Sequence, residues 1–372
     1  MKPRFANYPI PGLRRMGGRD VTHGPSRGAL LVAVLLGVPG CGVASGAVTG
    51  AGPALPATPD LQVAFGGQFQ RLVGAPVGEA SWLRREDGSH VAMVASDRPG
   101  QRHLYWSSST DGRTWAPFRP ATAGALTDVE PVLFASAQGL ECVFSSNRWL
   151  AQYALYRTSL REGRWSEPVR LELGPGPHRA PAVARFGDKW VLAWQGPEGV
   201  TVSTSGDGLT FPRGKMVLAQ HGDPAVAAVG ERLLVLGHQR KALTATVLDQ
   251  GGWSSPVRVP LAGPAWSPAL TQGASDSLAL AYATAAGDLA PAAIGLARWS
   301  AGRWADLGRA ASSPSELEAP AWCGGAAAPL SLLLGMDRMT SQQALVRLEW
   351  KALPGEATTT LPTLPAGGPD SP

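Results

Sequence analysis

The chain has 372 residues, of which 44% are hydrophobic and only 16% charged, with 46 Gly and 33 Pro. Turn formers at about a fifth of the chain, against a usual level of roughly 12%, exclude a helical bundle or long coiled coil, and the apolar content excludes a disordered chain. The formal net charge of +5 is carried by the first forty residues, where Lys2, Arg4, Arg14, Arg15, Arg19 and Arg27 face only Asp20. The remainder is neutral overall and holds no basic stripe, which argues against a nucleic-acid partner.

Ala29 to Val38 (ALLVAVLLGV) is an apolar run of ten residues, short of the roughly 20 a helix needs to span a bilayer core of about 30 Å. Basic residues precede it and small ones follow, as in a secretory signal peptide. It ends Val38-Pro39-Gly40-Cys41, which resembles the bacterial lipoprotein box. That resemblance implies lipidation of Cys41, although Pro39 departs from the box. Ordinary cleavage near Ala47 is the alternative, and Met16 competes with Met1 as the start. The expected organisation is a signal peptide over 1–40, a tether over 41–59, one folded body over 60–353 and a disordered Pro/Thr/Gly tail over 354–372. The protein is then exported and attached to the cell envelope through its N-terminal lipid, or else secreted or periplasmic. Export permits disulfides, but Cys142 and Cys323 fall in different repeats and are expected to be buried free thiols.

The body is repetitive. Glu130-Pro131, Ala180-Pro181, Asp223-Pro224, Ser267-Pro268 and Ala319-Pro320 each open an apolar segment, and the prolines are 50, 43, 44 and 52 residues apart. A second apolar run follows each time (ECVFSS, KWVLAW, RLLVLG, LALAYA, LSLLLG), then a third such as VTVSTS or ALTATV. An earlier unit, Ser81-Trp82-Leu83 with HVAMVAS, lacks the proline. Most units close on a glycine and an aromatic: Trp115, Trp165, Phe211, Trp253 and Trp304. Short alternating strands at a fixed period and almost no helical periodicity predict an all-β fold, a six-bladed β-propeller of four-stranded blades. The segment Leu61 to Val73 is expected to close the ring as an outer strand beside the last blade.

Two stretches fit Ser-x-Asp-Gly-x-Thr-aromatic: Ser109, Asp111, Gly112, Thr114 and Trp115, then Ser205, Asp207, Gly208, Thr210 and Phe211. They resemble the Asp-box of sialidase-type propellers. In such a turn Ser and Asp accept backbone N–H groups, glycine permits positive φ and the aromatic anchors the hairpin, so these ten residues are expected to be structural. Ala95-Ser96-Asp97-Arg98 and Ser145-Ser146-Asn147-Arg148 resemble the turn of TolB-like propeller repeats, which implies that Asp97, Arg98, Asn147 and Arg148 shape turns.

Resemblance to sialidases raises an arginine triad and a Tyr–Glu nucleophile pair. The nearest match to the family's Arg-Ile-Pro motif is Arg179-Ala180-Pro181, two repeats late, and no tyrosine falls in the last blade. No zinc spacing, nucleophile elbow, phosphate loop or dinucleotide fingerprint occurs, so no catalytic residue, metal or cofactor is expected. Residues just before the aligned prolines should crowd one end of the central funnel: Asp128, Glu130, His178, Arg179, His221, Asp223, Trp266 and Glu318. Carboxylates, a guanidinium and an indole suit a sugar. The expected function is binding of a glycan or an envelope protein by a monomer, with an exo-sialidase-like glycoside hydrolase working through funnel carboxylates as the alternative.

The N-terminal reading has a direct check. Cys41→Ala should move the protein from the membrane fraction to the soluble exported fraction. Unchanged membrane association would refute lipidation at Cys41.

Overall fold

In a computed structural model the described residues are 62–63, 68–73, 78–96, 102–124, 127–148, 152–273, 276–285, 293–312, 317–323, 330–336 and 344–350. The signal peptide, Cys41, Ala47, the tether, Asp97, Arg98 and the tail lie outside them. Every regular element among the described residues is a β-strand. Consecutive strands pair antiparallel, so each unit is an up-and-down sheet: Gly222–Val229 pairs Arg232–Gln239, which pairs Ala242–Asp249, which pairs the short outer strands Gly252–Trp253 and Val257–Arg258. The architecture is an all-β propeller.

The expectation of six separate four-stranded blades is corrected to five hydrogen-bonded sheets. One sheet is eight-stranded, because the innermost strands Leu317–Cys323 and Ala80–Arg84 run parallel and share a bridge at Cys323↔Trp82. Outer-edge closure is provided by the N-terminal side of the body. Gln68–Val73 pairs antiparallel with Ala344–Trp350, the last described strand. Gln62–Val63 pairs with Arg303–Ser312 one sheet earlier, so this stretch laces two neighbouring sheets together.

The core lies between facing sheets. Second strands are apolar on both faces because each is covered on both sides: Val91 through Ala95, Leu233 through Leu236 and Leu278 through Ala283 are all buried. Cys142 is a fully buried free thiol, and burial pushes its pKa far up, so it is inert. The Cys323 side chain lies outside the described residues.

The aligned prolines explain a recurrent irregularity. A proline has no N–H for a ladder and is tolerated within a sheet only at an edge or a bulge. Pairing runs Val129↔Ser145 then Val132↔Val143, which sets three steps on the innermost strand against two on its partner. The same three-against-two bulge recurs at Arg179/Ala182, Gly222/Ala225, Trp266/Ala269 and Glu318/Ala321. At four of the five, the residue before proline is left-handed: Glu130 (φ 56°), Ala180 (49°), Asp223 (44°) and Ser267 (45°). None of them is glycine, so each turn of backbone is held against a steric cost. The unit without proline, Ala80–Arg84, pairs with His90–Ser96 without interruption.

Candidate functional site

The bulged ends of the innermost strands surround a pocket of about 320 Å³ lined by Glu79, Ala80, Glu130, Ala180, Asp223, Trp266, Ser267 and the rings of five prolines, among others. Each of the six innermost strands, from Ala80–Arg84 to Leu317–Cys323, contributes at least one lining residue. Two further hollows, one at Val229–Arg232 and one at Arg85–Asp87 with Ala135–Leu140, lie among hairpin turns. Neither draws residues from so many strands.

The position immediately before proline is the one the bulge turns into the pocket. Glu130, Ala180, Asp223 and Ser267 all line it. Glu130 is also the bridge to the next sheet. Its Oε2 accepts the Ala180 N–H at 2.8 Å, and its Oε1 accepts Arg179 Nη2 at 2.8 Å. The Arg179 guanidinium in turn lies 4.4 Å from the centre of the Tyr153 ring. Asp223 is far less engaged: 43% of its side chain is exposed, and His238 Nδ1 lies 3.5 Å from Oδ2. Trp266 adds an indole from the neighbouring innermost strand.

Several expected funnel residues stand elsewhere. Asp128 is completely buried, with Arg148 Nη2 at 2.6 Å and the Ser146 hydroxyl donating at 2.6 Å. It anchors the Asn147-Arg148 turn, whose Asn147 Oδ1 accepts the Thr127 N–H. His178 is buried too. Trp194 Nε1–H donates to its Nδ1 at 3.1 Å, and its Nε2 faces the Gly174 carbonyl at 3.1 Å. Burial holds this imidazole below its ordinary pKa, so it stays neutral and structural. His221 folds back so that Nδ1 lies 2.6 Å from the Ala219 carbonyl. Arg179 touches the site only through Glu130. Neither Asp128, His178, His221 nor Arg179 lines the pocket. The Glu318 side chain lies outside the described residues. Glu79 and Ser267 were not singled out from the sequence. Ser267 could have been, since it occupies the same place before proline as Glu130 and Asp223. Glu79 precedes the strand of the proline-free unit and carries no such marker.

The other end of the blades is differently built. Trp190↔Ser205 and Arg179↔Gln195 pairing puts the Ser205–Phe211 turn at the far end of its sheet from the bulge. Asp207 Oδ1 accepts the Leu209 and Thr210 N–H groups at 2.8 and 3.0 Å, and Ser205 Oγ accepts Gly208 N–H at 2.9 Å. Asp111 accepts Arg113 and Thr114 N–H at 2.8 and 2.7 Å, and Ser109 accepts Gly112 N–H at 2.9 Å. Thr114 Oγ1 adds a bond to Asp111 Oδ2, and no bond from the Thr210 hydroxyl matches it. Gly208 needs to be glycine twice over: φ is +74°, and a Cβ would sit 2.7 Å from the Trp190 ring. Phe211 is buried against Trp194 and the partly buried Trp190, and Trp115 is half-buried, packing edge-on against Trp82. These hydrogen bonds hold both carboxyls low, Asp207 at about 2 and Asp111 further down. Among the described residues no three His, Cys, Asp or Glu side chains converge as metal ligands.

No protein-family profile and no curated protein sequence matches the chain. Solved structures do. A protein of unknown function from Dyadobacter fermentans superposes with a TM-score of 0.60 at 11% identity, over 78% of this chain and 99% of that one. A Trypanosoma rangeli sialidase gives 0.60 at 13% identity over 77% of this chain, which spans 60% of the sialidase. The leech intramolecular trans-sialidase gives 0.56 at 9% identity over 74% of this chain and 68% of the enzyme. At such identities the likeness defines the fold: a sialidase-type β-propeller.

The Asp-box turns make a signed prediction. The folded pKa of Asp207, about 2, lies below the roughly 3.9 of an unfolded aspartate. Its contribution is therefore complete above about pH 4 and is lost as pH falls through about 2. Because the side chain is exposed, solvent keeps that contribution modest. In denaturant titrations the stability gap between wild type and Asp207→Ala should be widest at neutral pH and narrow toward pH 2. A gap independent of pH would contradict the hydrogen-bonded carboxylate.

Proposed function

We propose that this chain is an exported, lipid-anchored propeller that binds a glycan in the axial pocket and does not carry out sialidase chemistry. The observation that carries it is the convergence of Trp266, Asp223, Glu130 and Glu79 from different strands on one pocket. An indole stacks on sugar C–H faces, and carboxylates accept from hydroxyls, the usual make-up of a polar-ligand site.

The absence of sialidase chemistry is supported by the tyrosines and arginines. Among the described residues, no tyrosine and no arginine lines the pocket. Tyr282 donates to Asp306 Oδ1 at 3.0 Å from a buried position, and burial, then Asp306, push its pKa well up. Burial likewise raises Tyr156. An attacking phenol needs a lowered pKa and access to the substrate; these have neither.

A glycoside hydrolase is the second reading, favoured by the presence of Glu130 and Asp223 in one pocket. Against it, both Glu130 oxygens are already occupied, by Arg179 and by the Ala180 N–H, and the third lining carboxylate, Glu79, faces Arg102 at 3.7 Å. An envelope protein is the other candidate occupant.

A glycan array on the mature chain, beside a fluorogenic glycosidase panel, separates these. Binding without turnover is expected, and Trp266→Ala should weaken it by more than about tenfold, as for a hot-spot aromatic. Turnover that disappears in Asp223→Asn would replace the binding reading with the hydrolase. Array signals unaffected by Trp266→Ala would move the site elsewhere.

A further inference from the structure

The sign of the pocket's charge narrows the ligand class, an inference that rests on the glycan reading above. Three acidic side chains line the pocket, Glu79, Glu130 and Asp223, and among the described lining residues none is Lys, Arg or His. Two of the three carboxylates already face cations: Glu79 lies 3.7 Å from Arg102, and Glu130 lies 2.8 Å from Arg179. Asp223 differs. A carboxylate has about four lone-pair sites, and this one has His238 Nδ1 at 3.5 Å from Oδ2. Its strand, Gly222–Val229, is followed around the pocket by the strand Trp266–Gln272, which supplies the indole. A carboxylate and an indole lining one pocket suit a cation, through charge-assisted hydrogen bonds and through the ring quadrupole.

We propose that the pocket selects a sugar bearing a protonated amino group, which Asp223 receives as the sugar ring rests on Trp266. An anionic sugar such as a sialic acid would set its carboxylate against Asp223 with no lining guanidinium to meet it, so rejection is built in as repulsion. A neutral sugar keeps the stacking but gains no charge-assisted bond.

The test is calorimetric titration of the full mature chain at neutral pH with three probes: a glucosamine oligosaccharide, its fully N-acetylated counterpart, and N-acetylneuraminic acid. The aminated probe should bind about tenfold more tightly than the acetylated one, the scale of one charge-assisted bond. Its advantage should shrink in roughly 1 M salt, where screening acts within about 3 Å. Asp223→Asn should bring the two probes to parity while both still bind. Asparagine is the appropriate replacement because it tolerates the left-handed backbone at this position, and an unchanged melting transition confirms that the variant folds. Equal affinity of the two probes in the wild type, or a preference for N-acetylneuraminic acid, would overturn the charge selection while leaving sugar binding intact. An advantage of the aminated probe that survives Asp223→Asn would overturn the role of Asp223. No binding of any probe at millimolar concentration, with a silent glycan array, would overturn the glycan reading and this inference together.

Discussion

A proline placed in an innermost strand removes one N–H from the ladder, and the chain absorbs that loss with an extra residue rather than with an orphaned carbonyl. Five bulges of identical count, three residues against two, follow from this. In four of them the residue before proline is left-handed, at a cost of roughly 1–2 kcal/mol for a residue with a Cβ. Such strain persists only where surrounding structure holds it. Here the holding is visible at Ala180, whose N–H is taken by Glu130 Oε2 at 2.8 Å and Ser145 Oγ at 3.1 Å. Below each bulge the strands return to register, and the second strands Gly139–Ser146, Arg232–Gln239 and Ser277–Thr284 are largely buried.

This arrangement divides the blade into two ends of different character. At the Asp-box end, turn N–H groups meet Asp111, Asp207, Ser109 and Ser205, and aromatics seal the hairpins. At the bulged end the backbone is strained, Asp223 is half-exposed, and side chains from all six innermost strands meet around one opening. Residual binding capacity therefore sits where the fold tolerates irregularity, while the regular hairpins supply rigidity. Bulges commonly re-aim side chains beside functional sites in this way.

The architecture was legible because prolines and Gly-aromatic pairs recur at a fixed period, and each marks a physical need of the unit. The pocket was legible only in part. Strand alternation puts Asp128 on the same face as Glu130, but the left-handed turn at Glu130 breaks that alternation. Asp128 then falls to a buried pair with Arg148, twenty residues downstream, a contact that no local pattern encodes. His178 likewise meets Trp194 across the sheet. The position directly before proline is the consistent one; of the residues two and three places before a proline, Trp266 lines the pocket whereas Asp128, His178, Arg179 and His221 do not. The fusion of two sheets through Cys323↔Trp82 has no sequence signal, because it depends on how closely the first and last innermost strands approach.

The left-handed residue before proline is thus the claim on which both fold and pocket rest, and Ala180→Gly measures it. Glycine adopts positive φ without a Cβ clash but loses more entropy on folding, so the sign of the change reports the backbone conformation. In equilibrium denaturant unfolding, relief of the left-handed strain predicts a higher midpoint with an unchanged slope, a gain of up to about 1 kcal/mol once the entropy cost is subtracted. A lower midpoint, the ordinary outcome of placing glycine in a regular strand, would contradict the bulge and the pocket built on it.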